Sequence, residues 1–263
     1  MKQARSSVLG GAGRVLAAVL AATWALGGGP WAGTAAAATF TVDPTQIFIS
    51  GRTQSALLTL RNQSTETLRF QLSVFAWSQA PSGRMALEPT QDIVFFPALL
   101  ILKPAEERNV RIGSTTGFDV REKTYRIFVE ELPPATRPAG SAAGVRVLTK
   151  MGIPIFLRPP KEIAAAALTD LRQEDGSLKF TLTNTGTVHF LPQTITVRGL
   201  VGDAPAFERR LDAWYVLAGG RRDFEMPIPK DDCARLTSVA VEVQFGSDKL
   251  QERLQTPGGA CAR

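Results

Sequence analysis

One histidine (His189) and two cysteines (Cys233 and Cys261) are all that this chain of 263 residues offers by way of imidazole and thiol groups. That scarcity excludes most metal clusters and any Ser-His-Asp site not built around the single imidazole. No phosphate-cradling loop, paired histidine ligands or nucleophile elbow is present, so the sequence reads as a protein without catalytic chemistry or cofactor. Acidic residues are missing from positions 1–38, which carry only Lys2, Arg5 and Arg14. The formal charge of +6 therefore falls to +3 over the remainder, with 27 basic against 24 acidic residues. So small an excess argues against nucleic acid as a partner. Beyond residue 38 no stretch approaches 18 uncharged apolar residues, so no membrane insertion is expected once that segment is removed. What the chain does have is 44% hydrophobic residues, enough to bury a core.

The acid-free start reads as a signal peptide over residues 1–38. A basic opening precedes an uncharged run of 13 residues at 15–27, and Ala-x-Ala sequences at 34–39 supply a cleavage site near Ala38. As a helix that run rises only about 20 Å, short of a bilayer core of roughly 30 Å, which disfavours a membrane anchor. Export places the chain in an oxidising compartment, where Cys233 and Cys261 most simply pair across the 27 residues between them. Two separately buried thiols are the alternative.

From residue 39 onward the pattern is one of short strands. Residues 40–49, 56–62, 68–77 and 123–132 are rich in β-branched and aromatic side chains and bounded by Gly, Pro, Asn or Ser. Residues 178–182, 194–201 and 238–245 repeat the style. No long segment holds a helical period. The expected class is all-β, in two antiparallel sandwiches of roughly 100 residues each. The division falls at the consecutive prolines: a first domain at 39–158, a linker at 159–161 and a second domain at 162–263.

Residues 133–144 are rich in Pro, Gly and Ala, and an extended run follows at 145–157. Its odd positions, Val145, Val147, Thr149, Met151, Ile153 and Ile155, make one mostly apolar face. Pro154 demotes the run locally to an edge strand. A long apolar edge is an aggregation hazard unless something covers it. Alternation alone leaves open whether that face packs on this domain's own core or on a partner.

An ordered series of short motifs accompanies this strand: Val42-Asp-Pro44, Gly51, Leu58-Thr-Leu-Arg-Asn62, Phe95-Phe-Pro97, Leu102-Lys-Pro104 and Val110-Arg-Ile112. It continues with Arg121-Glu-Lys-Thr-Tyr-Arg-Ile-Phe-Val-Glu-Glu-Leu-Pro-Pro134 and Ile153-Pro-Ile-Phe-Leu-Arg-Pro159. Over residues 42–159 the set resembles the periplasmic pilus (fimbrial) assembly chaperones. The second half matches only loosely, through Leu182-Thr-Asn184. The resemblance implies two immunoglobulin-like domains in an L-shaped arrangement. It also implies a periplasmic protein that lends a strand to an incomplete pilus subunit and delivers it to an outer-membrane usher. On that reading Val145, Val147, Thr149 and Met151 are the subunit-binding positions. The alternative is an exported structural or adhesive β-sandwich resembling a pilus subunit.

The sequence departs from the family pattern where an arginine and a lysine usually hold the subunit's terminal carboxylate: Gln46 and Pro154 stand there instead. It therefore resembles the divergent branch called archaic. Arg126 and Lys150 are the replacement candidates for the anchor, with solvated surface charges as the ordinary alternative. Arg111, Glu122 and Arg158 match positions where charges brace the two domains, and Asp231 or Asp232 is the expected acidic partner. His189 is read as a packed or surface loop residue, and the glycosylation triplet at Asn62 is assigned no role.

Overall fold

The computed structural model describes residues 39–135 and 146–256. The first ten strands run in chain order as β1 (Phe40–Asp43), β2 (Ile47–Ile49), β3 (Ser55–Asn62), β4 (Leu68–Gln79), β5 (Met85–Pro89), β6 (Ile93–Phe96), β7 (Leu99–Leu102), β8 (Glu107–Ser114), β9 (Lys123–Leu132) and β10 (Lys150–Leu157). They form two facing sheets. One has the order β1-β3-β8-β6; the other has the order β2-β10-β9-β4-β5, with β7 also paired to β4. Alternation decides what lies between them: Leu58 and Leu60, Phe70 and Leu72, Val110 and Ile112, Ile127 and Val129, and Ile153 and Ile155 share one core. Burying each such side chain contributes about 1.5–3 kcal/mol.

Two prolines divide strands that a hydropathy pattern reads as continuous. Residues 40–49 are expected as one strand, but β1 lies antiparallel to β3 in one sheet while β2 lies parallel to β10 in the other. Pro44 stands between them, and without an N–H it cannot carry the ladder across. Pro97 separates β6 and β7 in the same way, β6 pairing β8 and β7 pairing β4. Such sheet-switching strands close the corners of a sandwich.

The second set of strands is β11 (Ala166–Glu174), β12 (Ser177–Asn184), β13 (Thr194–Val201), β14 (Ala204–Leu211), β15 (Arg221–Pro227), β16 (Ser238–Phe245) and β17 (Asp248–Gln255), with a single-turn helix α1 (Lys230–Cys233). They form sheets of order β11-β12-β15 and β14-β13-β16-β17 around a separate core that includes Phe180, Val197, Val241 and Phe245. Among the described residues no helix is long and apolar enough to cross a membrane.

Both sandwiches use the same device at the end of a central strand. The buried Asn62 amide donates to the carbonyls of Glu66, Leu102 and Lys103, and its Oδ1 accepts from Ser64. Asn184 donates to Val188 and Val216 and accepts from the Gly186 N–H. Each amide satisfies loop groups that no ladder reaches. The Asn62 side chain is thus committed to the fold, in keeping with no role for its glycosylation triplet.

Candidate functional site

The strand β10 has two different flanks. Along its whole length it pairs with β9, from Lys150 opposite Glu130 to Leu157 opposite Lys123. On its other side β2 reaches only Ile155, Phe156 and Leu157. From Lys150 to Pro154 that flank has no strand beside it among the described residues, so Pro154 sits where the free edge begins. Ahead of β10 the Glu131 N–H donates to the Thr149 carbonyl at 2.9 Å, Leu148 is exposed, and Val147 is 54% exposed. Val145 lies outside the described residues.

The odd positions of this segment divide along its length. Ile153, Ile155 and Leu157 are buried in the first core, and Met151 packs against its margin. Thr149 is half-buried and Val147 is exposed. The face read from alternation therefore belongs to the domain's own interior at its C-terminal end and opens to solvent at its N-terminal end. Lys150, on the opposite face, is exposed and bonded to Glu130 at 2.8 Å, with its ammonium 5.3 Å from the Phe128 ring.

That opposite face carries the second part of the site. Across the sheet Phe75, Arg126 and Pro154 stand in one register row. The Arg126 guanidinium lies 4.6 Å from the Trp77 ring and 4.8 Å from the Trp214 ring. It is half-buried, its Nε has no hydrogen-bond partner, and among the described residues no carboxylate pairs with it. Burial holds the guanidinium below the usual arginine value. Gly152 makes room for it: a Cβ there would stand 2.8 Å from Phe128 Cε1 and 3.3 Å from Arg126 Nη1. Trp214 comes from the second sandwich, as does its neighbour Tyr215, whose ring meets Trp77 edge-on at 5.4 Å. The Gln46 amide donates to the Tyr215 hydroxyl at 2.6 Å.

Beneath these groups Trp77, Phe156, Tyr215 and Leu217 form a third buried cluster drawn from both sandwiches. His189 stacks on Phe156 at 3.7 Å, and its Nδ1 lies 2.6 Å from Glu122 Oε1. The same oxygen accepts the His189 backbone N–H, while the Glu122 side chain is fully buried. The partner that Glu122 finds in the second sandwich is thus the single histidine. Neither Asp231 nor Asp232 fills that role: Asp232 pairs with Arg235 beside α1. Arg158 pairs with Glu162 and covers the Phe48 ring, and Arg111 donates to Ser55. Arg111 thus binds within its own sandwich, whereas the acid that Arg158 meets, Glu162, is the first residue after the linker, in place of Asp231 or Asp232. Elsewhere the β4–β5 turn reaches the second sandwich directly, its Pro81 carbonyl accepting the Asp223 N–H of edge strand β15.

Removing the His189 imidazole leaves a buried carboxylate with one backbone donor. We expect His189→Ala to lower unfolding free energy by about 2–4 kcal/mol. Urea titration of the variant checks this, and a loss under half a kcal/mol contradicts it.

Cys233 is buried at the end of α1, where its Sγ accepts from the Gln173 side chain at 3.3 Å. Cys261 lies outside the described residues.

Strand pattern alone missed Trp77, Trp214, Tyr215 and His189. A compositional signal was available: beyond residue 38 the chain has only two tryptophans, and both flank Arg126.

Residues 39–162 match the pili and flagellar-assembly chaperone family, PapD N-terminal domain. Over this domain the chain is similar to that family of pilus-assembly chaperones. Among solved structures it is similar to a chain of the CsuC–CsuE chaperone–tip adhesion subunit pre-assembly complex, from the archaic chaperone–usher Csu pili of Acinetobacter baumannii. The identity there is 17% and the TM-score 0.58, covering 82% of this chain and 97% of that one. It is also similar to the E. coli chaperone DraB, at 17% identity and TM-score 0.53, covering 82% and 99%. A third likeness is to the Salmonella enterica complex of SafA pilin with the SafB chaperone, at 16% identity and TM-score 0.52, covering 82% and 96%. At such identities the likeness establishes the fold, a pair of β-sandwiches of this chaperone type. No curated protein matches the chain at the level of sequence.

Proposed function

We propose that this protein is a periplasmic chaperone that binds pilus subunits by donor-strand complementation and hands them to an outer-membrane usher. The observation that carries the reading is the flank of β10 between Lys150 and Pro154, which no strand pairs among the described residues and which is continuous in sequence with the exposed Leu148 and Val147. A client lacking one strand of its own sandwich gains main-chain hydrogen bonds from such a strand, and alternate side chains fill its groove. Donor-strand pairing of chaperone and pilin is itself an instance of this mode of recognition. Val145, Val147, Thr149 and Met151 are the proposed groove-filling positions; Val147 is the most exposed of the described three.

Arg126 is the proposed carboxylate anchor. It is a half-buried cation with no acid of its own among the described residues, whereas Lys150 is engaged by Glu130. Export with cleavage near Ala38 and a Cys233–Cys261 disulfide complete the proposal, since both suit an oxidising periplasm.

A photo-crosslinking amino acid at position 147 tests the strand. In cells expressing an incomplete-sandwich subunit from the same gene cluster, we expect a covalent chaperone–subunit product. Crosslinking confined to the protein itself would rule out strand donation by this segment.

A further inference from the structure

The Arg126 guanidinium does not stand alone. Tyr215 packs against both tryptophans that flank it, at ring separations of 5.4 Å from each. The Tyr215 ring is buried at 7% exposure, while Gln46 is exposed, so the hydroxyl lies where the buried cluster meets the surface. Gln46 donates to that oxygen. A phenol that accepts one hydrogen bond still has its own O–H to give. Its neighbour Arg126 presents donors alone, so it cannot receive that proton. Arg126 and Tyr215 pack on the same two indole rings, both can donate, the Arg126 Nε has no partner, and a carboxylate has two oxygens to offer.

We infer that Tyr215 is the second donor of the anchor, binding one oxygen of the client's terminal carboxylate while Arg126 binds the other. The inference rests on the proposed anchoring role of Arg126 and adds a residue from the second sandwich to it. Gln46 then has a defined duty at the position where the family pattern places an arginine. It supplies no charge; it fixes the tyrosine hydroxyl by occupying one of its lone pairs, which leaves the O–H to turn toward the ligand. Trp77 and Trp214, 5.4 Å apart, orient the guanidinium by packing side by side against it. A neutral donor paired with a single cation also suits a site lined by aromatic rings, where two adjacent cations would repel.

The test compares a short N-acetylated peptide of alternating valine and threonine, ending in a free carboxylate, with the same peptide ending in a carboxamide. Because Trp77 and Trp214 are the only tryptophans beyond residue 38, the fluorescence of the protein lacking residues 1–38 reports on the site. For the unaltered protein we expect the acid to bind at least tenfold more tightly than the amide. Tyr215→Phe keeps the ring and removes the hydroxyl; it should cut the acid-to-amide ratio about tenfold, since a hydrogen bond to a charged group is worth about that factor. Gln46→Leu changes an exposed residue and leaves the aromatic cluster in place; it should lower the ratio about threefold. An unaltered protein that binds acid and amide equally would refute the Arg126 anchor and this inference with it. An unaltered protein that prefers the acid, with the preference undiminished in Tyr215→Phe and Gln46→Leu, would overturn the role of Tyr215 and leave Arg126 standing.

Discussion

Val147→Asp should abolish recovery of a subunit with this chaperone while leaving the chaperone's own melting temperature nearly unchanged. Val147 is 54% exposed, so an aspartate there is a surface substitution, within about half a kcal/mol of neutral. In a client groove the same carboxylate would be buried without a partner, at a cost of several kcal/mol. Each 1.4 kcal/mol is tenfold in affinity, so a loss of about a hundredfold or more is expected. Ile155→Asp supplies the contrast. Ile155 is fully buried in the first core between the rows of β9 and β2, and a charge there should prevent folding altogether. Co-purification and thermal melts of both variants separate the exposed end of the segment from its buried end. A Val147→Asp variant that unfolds, or that still retains subunit, would refute the assignment.

Arg126→Glu is expected to have the second large effect. Truncating one partner of a desolvated, hydrogen-bonded charge pair costs about 2–5 kcal/mol, and reversing the sign adds repulsion. Subunit capture should therefore fall about thirtyfold or more. The folded chaperone should lose far less, because among the described residues Arg126 has no ion pair to break and contributes mainly its contact with two indole rings. Lys150→Ala is the natural control: an exposed lysine paired with an exposed Glu130 is worth little, and capture should change less than threefold. Surface-plasmon measurements on the three proteins with one subunit would decide between them. Equal binding by the unaltered and Arg126→Glu proteins would remove Arg126 from the anchor.

Strands of both sandwiches were legible where they bury one face. The expected strands at 123–132, 194–201 and 238–245 coincide with β9, β13 and β16. Alternation is a local property, and a central strand with a buried face carries it in full. The strands β14, β15 and β17 were not legible in the same way. Their sequences, such as Asp248–Gln255, are dominated by charged and exposed residues. They are strands because neighbours such as β16 offer unpaired N–H and C=O groups to bond, and no apolar period records that.

By itself, then, the sequence determined that the chain is all-β, that its apolar faces alternate, and that the run at 145–157 is interrupted at Pro154 as an ordinary central strand would not be. Tertiary structure decided which groups meet. It set Glu122 against His189, 67 residues away, and left Asp232 with Arg235 where an acid bracing the two domains was expected. It set Gln46 against Tyr215 across 169 residues, and it brought tryptophans of different sandwiches together against Arg126. The physical reason is range. Backbone periodicity fixes the side of a strand to which a residue points, through steric rules acting over neighbouring residues. The identity of what lies on that side depends on how two separately folded sandwiches pack, which is governed by contacts that no local window contains.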